Sequence, residues 1–447
     1  MIVSNIPFIL ILLIPGTAAL LYGERNDQIS VAAGIILVVT CISIYWMVPA
    51  SPDFFVDHVS WVFLLMISAV YLLSASYSLK YMGERPSGIS RKTFFLLLNL
   101  FTVSMLFSIE VNNYGLMWVG IEATTIASAL LIMSERSAES LEATWRYIII
   151  VSAGVAFAFI SIILIYYQFG TLSVTQILSM NRAPGLVTRI IVSVALIGFG
   201  TKIGIFPVHT WLPDAHSEAP APVSAMFSGV LLPSALYVLY RIYEIDPFRE
   251  LFIWFAVVSI IFSSIMLSNQ RMFKRMFAYS TMENMNIALI GFAILTPASI
   301  AGALILLLSH SLSKAGAFYS SGNIMKTFDT KEVGDVHGLM TTDPGTGASL
   351  LLSSLGVTGA PPFGTFFGEI LIFYSMLEYH LTVEFSLVLV FVALSFIAIN
   401  YNVSRMLSGD SVRSSCSSSL RYIALISSAI PIALGIAFLG VVGSVIT

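Results

Sequence analysis

Fourteen apolar runs, most of them close to the ~20 residues a helix needs to cross a bilayer, are spaced along almost the whole chain. They lie near 5–22, 30–48, 57–79, 92–109, 114–133, 143–168, 186–206, 221–241, 250–269, 276–295, 299–322, 347–379, 384–405 and 421–446. Lipid offers no partner to backbone N–H and C=O groups, so only helices and closed barrels span it. Barrel strands alternate apolar and polar residues over about 10 positions. These runs are longer and do not alternate, so the expected fold is an all-α polytopic membrane protein with about fourteen transmembrane helices. Composition agrees: only 10% of residues are charged, against ~25% in soluble domains. The twelfth run is too long for one straight helix, and a break is expected inside it. The first run has neither a basic stretch ahead of it nor a small-residue cleavage site, so it reads as a span rather than a signal peptide.

The basic residues test this map. Cations gather near membrane spans on the cytoplasmic side. On one side of the alternation lie Arg25, Lys80, Arg85, Arg91, Lys92, Arg136, Arg146, Arg271, Lys274, Arg275, Lys326, Lys331, Arg405, Arg413 and Arg421. The other side holds Arg182, Arg189, Arg241 and Arg249. That asymmetry predicts a multi-pass protein of the plasma membrane with both termini on the outer side. No connection is long enough to fold alone, and the serine-rich stretch 414–419 reads as a flexible loop. Cys41 and Cys416 are too few for an iron–sulfur or zinc site, so no metal site is expected. The net charge of −3 by itself excludes nothing, but nucleic-acid binding has no basic footprint to rest on. The glycines of GFGTKIG (198–204) have the wrong spacing for a phosphate loop and fall within a span.

A charge at mid-bilayer is costly enough that its default reading is functional. Glu122, Lys202, Lys314 and Glu369 all fall inside apolar runs. The bland alternative is a structural ion pair, or a long side chain snorkelling to water. His310 and Lys314 are spaced i, i+4 and share a helix face. Imidazole changes charge near neutrality, so the pair fits a proton relay. Tyr279, Glu283 and Asn286 share a face of the tenth span; Glu283 there is an accessory candidate, with an interfacial carboxylate as the equal alternative. Two of these charges lie beside proline-interrupted segments. Lys202 precedes Pro207 in TKIGIFPVHTWLPDAH, which also carries the accessory candidates His209 and His216. Pro361 and Pro362 precede Glu369 in GAPPFGTFFGE. Proline removes a backbone donor and breaks or kinks a helix. Broken helices in corresponding places of two halves point to a transport site.

These segments resemble the antiporter-like subunits of respiratory complex I, the Mrp antiporters and the group 4 membrane-bound nickel–iron hydrogenases. The most specific match is TKIGIFPVHTWLPDAHSEAPAPVSA (201–225). QRMFKRMFAYSTMENMNIALIG (270–291), SHSLSKAGAFYSSG (309–322) and GAPPFGTFFGE (359–369) also match. IEATTIASALL (121–131) and LEATWRYIIIVSAG (141–154) are most similar to the component F subunits of hydrogenase-4-type complexes. The resemblance covers about 60–405 and implies two inverted five-helix repeats, each with a broken helix. The chain then divides into spans 1–3 (1–91), a first repeat (92–241), a second repeat (250–405) and a last helix (421–447).

The resemblance also implies roles. Glu122 would modulate the protonation of Lys202, and the proton would pass by water, His310 and Lys314 to Glu369. The chain would be a non-catalytic, proton-translocating subunit of a redox-driven complex, without a cofactor of its own. Iron–sulfur, nickel–iron or flavin centres would sit in hydrophilic redox partners, and further antiporter-like and small membrane subunits would complete the assembly. One departure stands out: where complex I members carry a lysine on span eight, this chain has Pro233. A Na+/H+ antiporter subunit of Mrp type, a structural subunit with a degraded proton path, and a stand-alone solute transporter are the alternatives.

Overall fold

The structure, a computed structural model, describes residues 2–21, 23, 25–47, 53–83, 88–180, 184–410 and 418–446. Arg85, Arg182, Arg413, Cys416 and most of the serine-rich stretch lie outside the described residues. The helices are α1 (Ile2–Leu20), α2 (Asn26–Ser43), α3 (His58–Tyr81), α4 (Arg91–Glu110), α5 (Tyr114–Ile132), α6 (Ala138–Phe169), α7 (Val174–Ser179), α8 (Leu186–Ile203), α9 (Trp211–Glu218) and α10 (Ala221–Met226). A π-helical turn, Phe227–Leu231, leads into α11 (Leu232–Tyr243). There follow α12 (Arg249–Ser268), α13 (Phe273–Ile294), α14 (Pro297–Phe328), α15 (Leu339–Thr342), α16 (Pro344–Val357), α17 (Gly364–Glu378), α18 (Thr382–Leu407) and α19 (Ser418–Ile446). The protein is all-α, and the described residues pair as strands only at two isolated bridges.

Each of the fourteen apolar runs carries helix. Among the described residues, 11 helices are long and apolar enough to cross a membrane. Of the other three runs, the first is covered by α1, 19 residues long. α13 carries Glu283, Asn284 and Asn286 at its centre, which lowers its hydropathy. The twelfth run is split, as expected, into α16 and α17. The seventh is split too, with α8 ending at Ile203 before Pro207.

Polar side chains close the helix ends. Asp57 accepts from Ser60 N at the start of α3, Asn113 from Leu116 N at α5, and Thr296 from Ser299 N at α14. Each satisfies a donor that the first helical turn leaves without an intrahelical partner. Gly204, at φ +92°, closes α8 in the left-handed region that glycine enters without strain.

The chain forms two compact units. The first contains residues 1–211 and 230–251; in it α6 packs on α8, α4 on α5, α2 on α3, and α11 on α8. The second contains residues 212–229 and 252–447, and α14 is its hub, packed by α10, α13, α16, α17 and α19. Segment 212–229 belongs to the second unit because its polar groups are met there. Asp214 pairs with Arg275, Glu218 with Lys331 at 2.8 Å, and Ser228 bonds Thr281 at 2.6 Å. Small residues let helices approach closely in a membrane protein. Gly316 of α14 abuts Ser353 and Ser428, and Ser428 bonds Ser349 and Ser353 at 2.8 and 2.7 Å.

Candidate functional site

In the first unit, Lys202 sits one residue before the end of α8. The break fixes its place. Gly204 and Ile205 both return N–H groups to Gly200 O, at 3.0 and 2.9 Å, and Trp211 Nε1 donates to Thr201 O at 2.8 Å. Carbonyls freed by the interruption are thereby met within the protein, the condition for irregular backbone at membrane depth. Lys202 is fully buried. Its ammonium has three donors, and they meet Ile121 O at 2.7 Å, Thr124 Oγ1 at 2.7 Å and Thr125 Oγ1 at 2.6 Å, all from α5. Glu122 is half-buried on the same helix, and the Thr125 hydroxyl donates to its Oε2 at 3.4 Å. The lysine thus reaches the glutamate through a hydroxyl. One turn further along α5, Ser128 bonds Tyr147 at 2.6 Å.

The second unit assembles more of the expected residues. Lys314 of α14 is fully buried and donates to Phe277 O at 2.7 Å and Ser280 Oγ at 2.8 Å, both from α13. The Phe277 ring adds a cation–π contact at 5.6 Å. One turn earlier, His310 Nδ1 lies 3.0 Å from Asn284 Nδ2, which also donates to Val357 O at 2.9 Å. With Asn284 as donor, Nδ1 accepts, and a neutral ring carries its proton on Nε2. That Nε2 is buried without a hydrogen-bond partner. Glu283 is buried in the middle of α13 and accepts from Ser264 Oγ at 3.4 Å.

Glu369 lies in the second turn of α17, beyond the break at 358–363. Gly359, at φ +68°, leaves room for the carboxylate; an added Cβ would meet Glu369 Oε1 at 2.8 Å and overlap Oε2. The carboxylate borders a recess of about 270 Å³ between α17 and α18, otherwise walled mainly by Phe366, Phe373, Leu389 and Phe396. The imidazole of His216 is fully buried and stacks on Phe318 at 4.9 Å, with both ring nitrogens lacking hydrogen-bond partners. His209, in the first unit, packs on Phe206 at 5.7 Å. Pro233 is buried in the first turn of α11.

Thr124, Thr125, Ser280 and Asn284 are the polar partners of the buried cations and of His310, and sequence reasoning missed all four. It also missed Glu110, fully buried with neither carboxylate oxygen hydrogen-bonded. No cluster of three or more metal-binding side chains occurs among the described residues.

Buried ammonium, imidazole and carboxyl groups and interrupted helices, present in each unit's own set, are the features by which candidate ion sites in polytopic membrane proteins are recognised. Residues 111–398 match the transmembrane family described as NADH:quinone oxidoreductase/Mrp antiporter, and the chain belongs to that family. A hydrogenase-4 component F homolog of Methylacidiphilum infernorum is 32% identical over 348 residues, 73% of this chain and 73% of that protein. A chain of the membrane-bound sulfane sulfur reductase, an archaeal respiratory membrane complex, superposes with a TM-score of 0.89 at 20% identity, covering 99% of this chain and 96% of the other. A chain of the Mrp complex from a Dietzia species does so at 0.89 and 18%, with the same coverage. The expected membership of this superfamily is therefore met, and a hydrogenase-4 component F homolog is among the relatives.

Proposed function

We propose that this chain is the proton-translocating, antiporter-like membrane subunit of a redox-driven complex of the hydrogenase-4 or complex I kind. The observation that carries the reading is Lys202, a fully buried lysine whose three contacts are neutral oxygens. A buried ammonium held by neutral oxygens has no fixed counter-charge in direct contact, so small shifts of α5 against α8 change its hold on the proton. Glu122 acts on it through Thr125. Lys314 repeats the arrangement with a carbonyl and a hydroxyl, His310 supplies a second titratable group one turn away, and Glu369 is the terminal carboxyl.

Residues 92–241 and 250–405 serve as the two inverted repeats, each contributing one broken helix. The chain lies in the plasma membrane with both termini outside. Its partners are further antiporter-like and small membrane subunits and hydrophilic redox subunits, which carry the iron–sulfur, nickel–iron or flavin centres. Electron transfer there drives the proton movement here.

One observation favours Na+ as the alternative ion. The cage around Lys202 is built only of oxygen, a donor set that also suits a hard cation. The test is ion movement by the purified parent complex in sealed vesicles, wild type against Lys202→Ala, with pH-sensitive and sodium-sensitive dyes read in parallel. The expected result is a proton signal lost in the variant while assembly persists. A sodium signal would establish the Mrp-type reading, and equal signals from the two proteins would leave the chain as scaffold.

A further inference from the structure

The first unit holds a second group of ionisable residues, away from Lys202. At the end where α3 begins and α11 finishes, Arg241 is 1% exposed. Its guanidinium lies over the rings of Phe55, Tyr237 and Tyr240, at 4.8, 4.9 and 5.2 Å. Nη2 donates to Asp57 Oδ1 at 2.5 Å and to Ser60 Oγ at 3.2 Å, and Nη1 to Glu244 Oε2 at 3.1 Å. The Tyr114 hydroxyl, from α5, donates to Arg241 O at 2.9 Å.

Two carboxyls share one guanidinium. With both ionised the group carries an uncompensated negative charge in largely buried surroundings, and one of them favours the proton. The hydrogen bonds decide which. Asp57 accepts from Arg241 Nη2, from Ser60 N at 2.8 Å and from Ser60 Oγ at 2.9 Å. Burial works to raise the Asp57 carboxyl, but Arg241 and Ser60 overcome it and hold Asp57 below the usual carboxylate range. Glu244 has Arg241 Nη1 and the Tyr240 hydroxyl, and Asp57 beside it is a like charge. Burial wins there, and the Glu244 carboxyl is pushed up. The next carboxylate along, Asp246, is met separately by the Thr188 hydroxyl at 2.5 Å.

Glu244 also has access. It borders a recess of about 300 Å³ lined by Phe169, Ile177, Met180, Thr188 and Ile245. That volume holds many waters, since one needs only ~10–15 Å³. Thr188 lies in the first turn of α8, the helix that carries Lys202 in its last turn.

We propose that Glu244 is a proton-binding residue at the cation-poor end of the first unit, exchanging its proton through this recess, with Arg241 and Asp57 as its fixed electrostatic partners. As a step in transport, this rests on the proposed function above. The site places a titratable group next to a space large enough for water.

The test uses the intact parent complex. Dicyclohexylcarbodiimide adds to a protonated carboxyl and leaves a stable acylurea, and peptide mass spectrometry locates it. Glu244 should be labelled, less so as pH rises, while Asp57 stays unlabelled. In sealed vesicles Glu244→Gln should slow proton movement about tenfold or more, and Glu244→Asp should retain most of it. Label on Asp57 instead of Glu244, no label at Glu244, or a Glu244→Gln complex pumping at the wild-type rate overturns the proposal. A wild-type complex that labels at Glu244 yet moves no protons keeps the proton site and removes the transport function.

Discussion

The Lys202 ammonium donates to the Thr125 hydroxyl at 2.6 Å, and the same hydroxyl donates to Glu122 at 3.4 Å. Thr125 therefore touches both members of the pair. Thr125→Val keeps the shape, removes the bridge and leaves one ammonium donor unmet in the interior. An unmet buried donor costs roughly 1–3 kcal/mol, more when charged. Proton movement in vesicles should fall about tenfold, the equivalent of ~1.4 kcal/mol, while Thr125→Ser should retain most of it. Equal rates for Thr125→Val and wild type would show that Glu122 acts without this hydroxyl.

Gly359 and Glu369 occupy one space. Residue 359 is left-handed, and a methyl group there overlaps the carboxylate. Gly359→Ala therefore combines backbone strain, of order 1–3 kcal/mol, with displacement of Glu369. The expected outcome is a lower Tm in detergent together with impaired proton movement. Gly334→Ala is the control, because nothing lies within 4 Å of the added Cβ and Gly334 has no positive φ. If both variants pump alike, the position of Glu369 is not limiting.

Much of this was legible in the sequence, and the reasons differ by residue. Apolar length gave the helices. Proline chemistry gave both breaks, at Pro207 and at Pro361–Pro362, since a residue without N–H ends a helix whatever its surroundings. The buried charges stood out because ammonium and carboxyl groups are rare in apolar runs. Thr125 and Ser280 were hidden by their ordinariness. Hydroxyls such as Ser78 and Thr102 satisfy themselves on their own helix carbonyls, at 2.6 and 2.9 Å, and sequence cannot tell the two uses apart. Arg241 was counted among the loop cations, yet it is 1% exposed. A charge tally sees residue type and not the partners, here Asp57 and Glu244, that make burial tolerable. The home of 212–229 was equally hidden, because its partners Arg275, Thr281 and Lys331 lie at least about fifty residues downstream.

Two of the cations that meet segment 212–229 should differ sharply in weight. Lys331 pairs with Glu218 at 2.8 Å, but its side chain is 36% exposed, and such pairs contribute about 0–1 kcal/mol. Lys274 is 1% exposed and donates to Ala219 O at 2.7 Å and Ser217 O at 3.4 Å. Its loss leaves buried carbonyls short of a donor, at roughly 1–3 kcal/mol. Lys274→Met should lower the Tm of the complex clearly, and Lys331→Ala barely. The reverse order would mean that the surface pair, and not the buried donor, holds the segment.

Arg241 and Asp57 should set an acid limit on the first unit. Asp57 titrates lower folded than unfolded, because Arg241 and Ser60 favour its ionised form over the opposing effect of burial. A depressed carboxyl contributes stability above its unfolded pKa, ~3.9, and loses that contribution as pH falls through the lower folded value. Glu244 runs the other way: its folded carboxyl is raised by burial, so ionising it opposes folding as pH climbs. Glu244→Gln should therefore gain stability relative to wild type with rising pH. Arg241→Met removes the shared cation and should destabilise by about 2 kcal/mol, less than for a fully buried pair because Asp57 is 33% exposed. The double variant Arg241→Met/Asp57→Asn should recover part of that loss, because it removes the charge left unpaired. Thermal unfolding of the four proteins across pH checks both signs, and a Glu244→Gln complex whose advantage shrinks with rising pH would reverse the assignment of the proton to Glu244.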